Sequence, residues 1–119
     1  MAEKAAKTMA KLAYEALADK KAEDIKIINI EEVSVLADYF IIASGTNRNQ
    51  VQAMADNVEE ELHKAGYPVK QTEGYRSANW ILMDFGDIIV HVFSNDDREK
   101  YGLDKLYSAL PIVENKIIK

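Results

Sequence analysis

A chain of 119 residues, with 48% hydrophobic and 29% charged residues, has the size and composition of one folded domain. The sequence contains no cysteine, which excludes disulfide scaffolds, thiolate zinc sites and thiol nucleophiles, and no apolar run reaches membrane-spanning length. Twenty acidic residues against fifteen basic ones give a net charge of −5, which disfavours direct RNA binding and favours a basic protein partner. The first residues lack a hydrophobic signal segment, so we expect a cytoplasmic protein.

The first half of the chain predicts two helices and two strands. Apolar residues recur at helical spacing between Met9 and Leu17, and Asn47 and Gln50 form a capping-box pattern after Gly45. In chain order we predict a helix over residues 3–21, a strand over residues 25–30, a central strand over residues 38–44, and a helix that begins after Asn47 and ends at Gly66.

The second half of the chain is organised around a predicted β-hairpin. Two apolar, β-branched runs flank Asp84-Phe85-Gly86-Asp87, where Gly86 can supply the positive φ of a tight turn. The other predicted elements are a strand over residues 69–73, a loop over residues 74–78, a helix start at residues 94–97, a broken amphipathic segment over residues 101–110 and a tail over residues 111–119. The order α-β-β-α-β-β-β-α predicts a single α/β domain, residues 1–119, with a mixed five-stranded sheet and helices mainly on one face.

The predicted hairpin has two chemically different faces, because side chains alternate along a strand. If Asp84 pairs with Asp87, the residues on one side are Trp80, Leu82, Ile89 and His91. The other side is purely aliphatic and is predicted to be core, with Ile81, Met83, Ile88, Val90 and Val92. The first side mixes a Trp, a His and carboxylates, which is typical of a docking surface, and the upstream residues Tyr75 and Arg76 would extend it.

Three interpretations of the first side remain open from the pattern alone. In one, the C-terminal segment covers Trp80 and its neighbours within the monomer. In another, the side is a protein interface with Trp80 as its anchor, since Trp is enriched among residues that dominate binding energy. In the third, it pairs with a second copy of the chain.

The sequence offers few candidates for chemistry. Asp84 and Asp87 could hold a metal ion as paired carboxylates, but Asp at a hairpin tip is ordinary turn chemistry. His91 could act as a general base, but the sequence places no nucleophile beside it. The turn at Gly45 and Thr46 could hold an anion before the helix, although the chain has no glycine-rich phosphate motif. We therefore predict no catalytic site, no metal and no cofactor.

A series of motifs follows in order over about residues 3–107. The motifs are Asp38-Tyr39-Phe40-Ile41-Ile42-Ala43-Ser44-Gly45-Thr46-Asn47-Arg48, Ala55-Asp56-Asn57-Val58-Glu59-Glu60-Glu61-Leu62, Glu73-Gly74-Tyr75, Trp80-Ile81-Leu82-Met83-Asp84-Phe85-Gly86-Asp87, Val90-His91-Val92-Phe93, and the spaced residues Tyr101, Leu103, Leu106 and Tyr107. Together they resemble the ribosomal silencing factor family, also called iojap-like proteins.

This resemblance implies a nucleotidyltransferase-like topology without the catalytic residues, and no enzyme activity. It also implies binding to the large ribosomal subunit through ribosomal protein L-fourteen, on the surface that meets the small subunit. Occupying that surface blocks subunit joining and represses translation when nutrients are scarce. Homodimers are common in the family, and organellar relatives assist assembly of the large subunit.

The expected partner-binding residues follow from the resemblance and the hairpin pattern together. The apolar anchors are Trp80 and Leu82, with Ile89 and His91 beside them, and the polar rim is Tyr75, Arg76, Asp84 and Asp87. Two alternatives remain: a Mg-dependent nucleotidyltransferase-like enzyme that uses the two aspartates, and a factor for assembly of the large subunit.

Overall fold

A mixed sheet runs through the protein, whose computed structural model describes residues 2–35, 37–108 and 112–113. In chain order the elements are α1 (Ala2–Asp19), β1 (Glu23–Asn29), β2 (Tyr39–Gly45), α2 (Arg48–Lys64), β3 (Gln71–Glu73), β4 (Trp80–Asp84), β5 (Ile88–Ser94), α3 (Asn95–Tyr101), α4 (Leu103–Leu106) and β6 (Ile112–Val113). The order in the six-stranded sheet is β3-β4-β5-β2-β1-β6. Strands β2 and β5 are parallel, and the other neighbouring strands are antiparallel. No helix within these ranges is long and apolar enough to cross a membrane.

Helices α1 and α2 cover one face of the sheet, and this arrangement confirms the predicted α/β fold class. Met9 and Leu17 of α1 and Met54, Val58 and Leu62 of α2 are buried in one hydrophobic cluster with the sheet. The apolar stripe at helical spacing is therefore the buried side of each helix.

Two hydrophobic clusters lie on opposite faces of the sheet, because each strand alternates its side chains. The cluster under α1 and α2 includes Ile41 from β2, Ile81 and Met83 from β4, and Val90 from β5. The second cluster consists of Ile28, Ile30, Ala37, Ile42 and Phe93, with Phe40, Trp80, Ile89, Leu103 and Tyr107 partly buried against it. We call the face that carries this second cluster the aromatic face.

The hairpin turn lies one residue later than predicted. The N–H of Phe85 donates to the carbonyl of Ile88 at 3.0 Å, so Gly86 and Asp87 form the turn. Gly86 has a φ of 92° at the first turn position, where a two-residue hairpin turn requires a positive value. The predicted pairing of Asp84 with Asp87 is therefore wrong, and the observed pairs are Trp80↔Phe93, Leu82↔His91 and Asp84↔Ile89. Since the register is shifted by two residues, the paired side chains of β4 and β5 keep their predicted faces, and Asp87 lies in the turn.

Part of the predicted C-terminal tail belongs to the sheet. Ile112 and Val113 form β6, which pairs antiparallel with Ile28 and Ile27 of β1. A strand at this position gives sheet partners to backbone groups at the outer edge of β1. The other residues of the predicted tail, 111 and 114–119, lie outside the described residues, as do residues 109–110 of the predicted amphipathic segment.

Candidate protein-docking surface

Aromatic side chains from neighbouring strands meet on the aromatic face. The indole N–H of Trp80 donates to Nδ1 of His91 at 3.0 Å, across a diagonal of the β4–β5 ladder. The Trp80 ring stacks on Phe93 with ring centroids 5.0 Å apart, and the His91 ring meets Phe40 edge-on with centroids 4.6 Å apart. These contacts together fix the orientation of the Trp80 indole.

The segment that contains α3 and α4 covers part of the aromatic face. The Tyr101 ring lies 4.8 Å from the Trp80 ring, and the Tyr107 ring lies 5.2 Å from the Phe40 ring, both between centroids. His91 is buried among the rings of Phe40, Trp80 and Phe93. The predicted anchors that stay partly exposed are Trp80, Leu82 and Ile89. The interpretation in which the C-terminal segment covers the face is therefore confirmed only in part, since Tyr101 lies against Trp80 and Tyr107 lies against Phe40.

The imidazole of His91 is neutral and lies in an apolar environment. Burial lowers the pKa of His91 from 6.5 to about 4. Because Nδ1 accepts the Trp80 N–H, the ring proton is on Nε2, which is buried and has no hydrogen-bond partner among the described residues. A buried donor without a partner costs about 1–3 kcal/mol. Neither nitrogen is placed to take a proton from a substrate, so the geometry suits a role in positioning Trp80.

The two hairpin aspartates take part in the turn. Oδ1 of Asp84 accepts from the N–H of Gly86 at 2.8 Å, and the backbone carbonyl of Asp87 accepts from the N–H of Asp38 at 2.8 Å. Asp84 faces Ile89 across the ladder, so the two carboxylates are not a facing pair. Within the described ranges, no group of three or more His, Asp or Glu residues could hold a metal ion. The geometry thus favours turn chemistry over a two-metal site.

The turn before α2 is filled by side chains of its own. Oδ1 of Asn47 accepts from the N–H of Gln50 at 2.8 Å, and Oε1 of Gln50 accepts from the N–H of Thr46 at 2.7 Å. The predicted Asn47 cap is therefore confirmed, whereas Gln50 bonds the N–H of Thr46, one residue before the N-cap that a capping box would use. Two of the backbone donors at this turn, those of Thr46 and Gln50, are therefore already used.

Tyr75 does not share a face with Trp80. Its hydroxyl donates to Oδ2 of Asp56 at 3.0 Å, and Nε2 of Gln52 donates to its backbone carbonyl at 2.9 Å, so the loop packs against α2. The Asp56 carboxylate raises the pKa of Tyr75 above its ordinary value of 10.0. Arg76 is exposed in the same loop. The structure therefore does not bring this loop together with the predicted anchors on the aromatic face.

Arg98 is a buried cation whose partners the sequence did not reveal. Its Nε and Nη2 donate to the two carboxylate oxygens of Asp104 at 3.0 and 2.8 Å. Its Nη1 donates to Oγ of Ser44 and to the carbonyl of Glu23, both at 3.2 Å. The hydrogen bonds from Arg98, with Lys26 Nζ at 3.0 Å, lower the pKa of Asp104 from 3.8 to about 2. This network ties α3 and α4 to β1 and β2.

Comparisons with known proteins point to one family. The family model described as ribosomal silencing factor during starvation matches residues 3–119. A protein of Bacillus subtilis named ribosomal silencing factor RsfS is 42% identical over 108 residues, which cover 91% of this chain and 92% of that protein. A mouse protein named mitochondrial assembly of ribosomal large subunit protein 1 is 30% identical over 95 residues, which cover 77% of this chain and 42% of that protein.

Solved structures agree with these relatives. A crystal structure of a protein from Chromobacterium violaceum superposes with a TM-score of 0.83 at 36% sequence identity, over 85% of this chain and 84% of that one. A protein from Bacillus halodurans gives a TM-score of 0.77 at 42% identity, over 87% of this chain and 93% of that one. These matches confirm the fold class along most of the chain.

Proposed function

The chain belongs to the ribosomal silencing factor family, and we propose that it binds the large ribosomal subunit and blocks joining of the small subunit. The proposed partner on the large subunit is ribosomal protein L-fourteen. Blocking subunit joining in this way represses translation, especially under nutrient limitation. The observation that carries this proposal is the aromatic face, where Trp80, Leu82 and Ile89 stay partly exposed on strands of the sheet.

The aromatic face has the physical properties of a docking surface. Phe93 and His91 already restrain the Trp80 side chain. Binding of a partner over Trp80 therefore costs little additional side-chain entropy of this residue. Asp84 and Asp87, at the hairpin tip, form a polar rim beside the apolar anchors. The net charge of −5 favours a basic ribosomal protein as the partner and accelerates its approach.

The proposed mechanism is steric and contains no chemical step, metal or cofactor. It requires an affinity for the large subunit that is high enough to exclude the small subunit from one surface. The proposed place of action is the bacterial cytoplasm, in agreement with the bacterial relatives named as silencing factors. Partner contacts by Tyr75 and Arg76 stay predictions from the sequence, since their loop packs against α2.

A role in assembly of the large subunit is the second candidate function. It is favoured by the name of the mouse relative, which refers to mitochondrial assembly of the large ribosomal subunit. Both roles use the same contact with the large subunit. They differ in whether immature or mature subunits are the main target, which a comparison of binding to the two forms would decide.

Self-association remains a prediction from the family resemblance. A homodimer formed through the aromatic face would compete with ribosome binding for Trp80 and its neighbours. Sedimentation at several protein concentrations, with and without large subunits, would show whether the dimer persists in the complex and hence whether the two surfaces are distinct.

Co-sedimentation with purified large subunits tests the proposed function. We expect the wild-type protein to pellet with them at physiological salt, and Trp80→Ala to lose at least about 2 kcal/mol of binding free energy, the hot-spot threshold. Since Trp80 is partly exposed, the substitution should cost less folding stability than the about 3–5 kcal/mol of a fully buried aromatic.

The matched control is Lys64→Met. Lys64 is 63% exposed on α2, pairs with Glu60 and Glu61, and lies on the helix side of the sheet. This variant should pellet like the wild type. Absence of wild-type co-sedimentation would contradict the proposed function, and unchanged binding by Trp80→Ala would place the binding surface elsewhere.

A further inference from the structure

Helix α3 presents an exposed tyrosine next to Trp80. Tyr101 is the last residue of α3 and is 49% exposed. Its ring centroid lies 4.8 Å from that of Trp80 and 6.2 Å from that of Phe93. Because the Tyr101 and Trp80 rings touch, they offer one continuous surface, and a partner that covers Trp80 also meets Tyr101.

Helix α3 is held in this place by Arg98, which precedes Tyr101 by one helical turn. Arg98 is 8% exposed, and its guanidinium binds Asp104 on one side and Ser44 and Glu23 on the other. A planar guanidinium with bidentate pairing fixes both the distance and the orientation of its partners. The position of the Tyr101 ring over the hairpin therefore depends on Arg98.

We propose that Tyr101 is part of the docking surface and that Arg98 is the residue that positions it. The inference rests on the proposed function and has the same binding partner, a basic ribosomal protein with an apolar patch. The contact between Tyr101 and Trp80 provides an apolar surface for the apolar patch of the partner. The net charge of −5 and the exposed carboxylates Asp96 and Glu99 on α3 favour a basic partner. The docking surface is thus composite, with one aromatic ring from the hairpin and one from α3.

A purely structural role for Arg98 would give a different pattern of effects. If Arg98 only stabilised the fold, its replacement would lower the melting temperature and leave the affinity of the folded protein unchanged. If Arg98 acts through Tyr101, its replacement removes the contact that Tyr101 makes. The effects of the two substitutions on affinity are then not additive, because both remove the same contact.

The test is a double-mutant cycle with dissociation constants for purified large subunits, measured at a temperature where every variant is folded. We expect Tyr101→Ala to weaken binding about fivefold or more at an almost unchanged melting temperature. Arg98→Met should weaken binding by a similar factor, and the double variant should bind about as well as Arg98→Met alone. The control Lys64→Met removes an ion-paired cation from α2 and should change neither affinity nor tryptophan emission.

Tryptophan fluorescence gives a second readout that a change in global stability does not produce. Trp80 is the only tryptophan in the chain, so its emission reports the surroundings of this one indole. Arg98→Met should shift the emission to longer wavelength in the folded protein, because Tyr101 no longer shields the ring from water.

Each outcome separates the inference from the function on which it rests. Wild-type affinity in Tyr101→Ala would overturn the inference while the proposed function stands. Fully additive losses in the double variant, or unchanged emission in Arg98→Met, would overturn the positioning role. Failure of the wild type to bind large subunits would overturn the proposed function and this inference with it.

Discussion

Trp80 and His91 act as one unit on the aromatic face. The imidazole accepts the indole N–H, and burial keeps the imidazole neutral at physiological pH, so the hydrogen bond is preserved there. The ring neighbours of His91 are Phe40, Phe93 and Trp80, which provide no charge to stabilise an imidazolium. The orientation of Trp80, the proposed main anchor, is therefore coupled to the protonation state of His91.

This coupling predicts a loss of stability in mild acid. The folded-state pKa of His91, about 4, lies below the ordinary value of 6.5, so the unfolded chain takes up the proton first as the pH falls. The contribution of His91 is complete above pH 6.5 and is lost as the pH falls towards 4, by up to about 1.4 kcal/mol per pH unit.

Urea unfolding at about pH 7 and about pH 4.5 measures this effect. The wild type should lose more of its free energy of unfolding between these two conditions than His91→Gln, which cannot titrate. Equal losses in the two proteins would show that His91 does not become protonated on unfolding and is therefore not desolvated as described.

At the residue scale, the sequence predicted which face a side chain takes but not what covers it. Alternation along the hairpin is local, so Trp80 and Leu82 could be assigned to one face even with a shifted register. The burial of His91 involves the ring of Phe40 on β2, a strand that is distant from β5 in the sequence. Tyr75 is bound by Asp56, which lies 19 positions earlier in the chain, and no local pattern contains that contact.

Elements whose signals are local begin where they were predicted, α3 among them, whereas their position against distant parts of the chain has no local signal. The Asn47 cap and the apolar stripe were sufficient to predict α2. Strand β6 pairs with the edge of β1. Helix α3 is held in position by a hydrogen bond from Arg98 to the carbonyl of Glu23, 75 positions away in the chain. Their sequence patterns are short, so tertiary contacts decide where these elements lie.

The loop before β4 gives a prediction at this scale, from two glycines that differ in their surroundings. Gly74 and Gly66 have φ values of 80° and 94°, so Ala at either position is strained by about 1–2 kcal/mol. A methyl group on Gly74 would overlap the carbonyl oxygen of Trp80, whereas a methyl group on Gly66 would meet nothing within 4 Å.

Gly74→Ala should therefore destabilise the protein more than Gly66→Ala, by at least about 1 kcal/mol, because the start of β4 must move. Free energies of unfolding from urea titrations provide the comparison, with Gly66→Ala as the control for backbone strain alone. Equal destabilisation would mean that the loop relaxes freely and that the start of β4 is not held by this close approach.

At the scale of the whole molecule, the arrangement of layers explains how docking would exclude a second body. The principal extents are 36 × 33 × 25 Å, and the two long helices lie on the side of the sheet opposite the aromatic face. If the aromatic face lies against the large subunit, α1 and α2 face away from that subunit and form a closely packed layer of low compressibility. Where the two subunits pack against each other as closely as a protein interior, there is no room for a domain of this thickness between them.

The net charge is readable from composition, but its distribution over the molecule is not. Exposed acidic residues lie on both sides of the sheet, with Asp56, Glu59 and Glu60 on α2 and Asp96 and Glu99 on α3. Their positions follow from the packing of these helices on the sheet. The sequence could therefore predict the sign of the net charge, but not which carboxylates lie beside the aromatic face.

Subunit joining, followed by light scattering, tests the central claim most directly. Purified large subunits are incubated with the protein and then mixed with small subunits, while co-sedimentation of the same sample records how many large subunits are occupied. We expect the wild type to reduce joining in proportion to this occupancy, and Trp80→Ala at the same concentration to leave joining nearly complete. Full joining by large subunits that carry the wild-type protein would contradict the proposed function, because the protein would then bind the large subunit without blocking the small subunit.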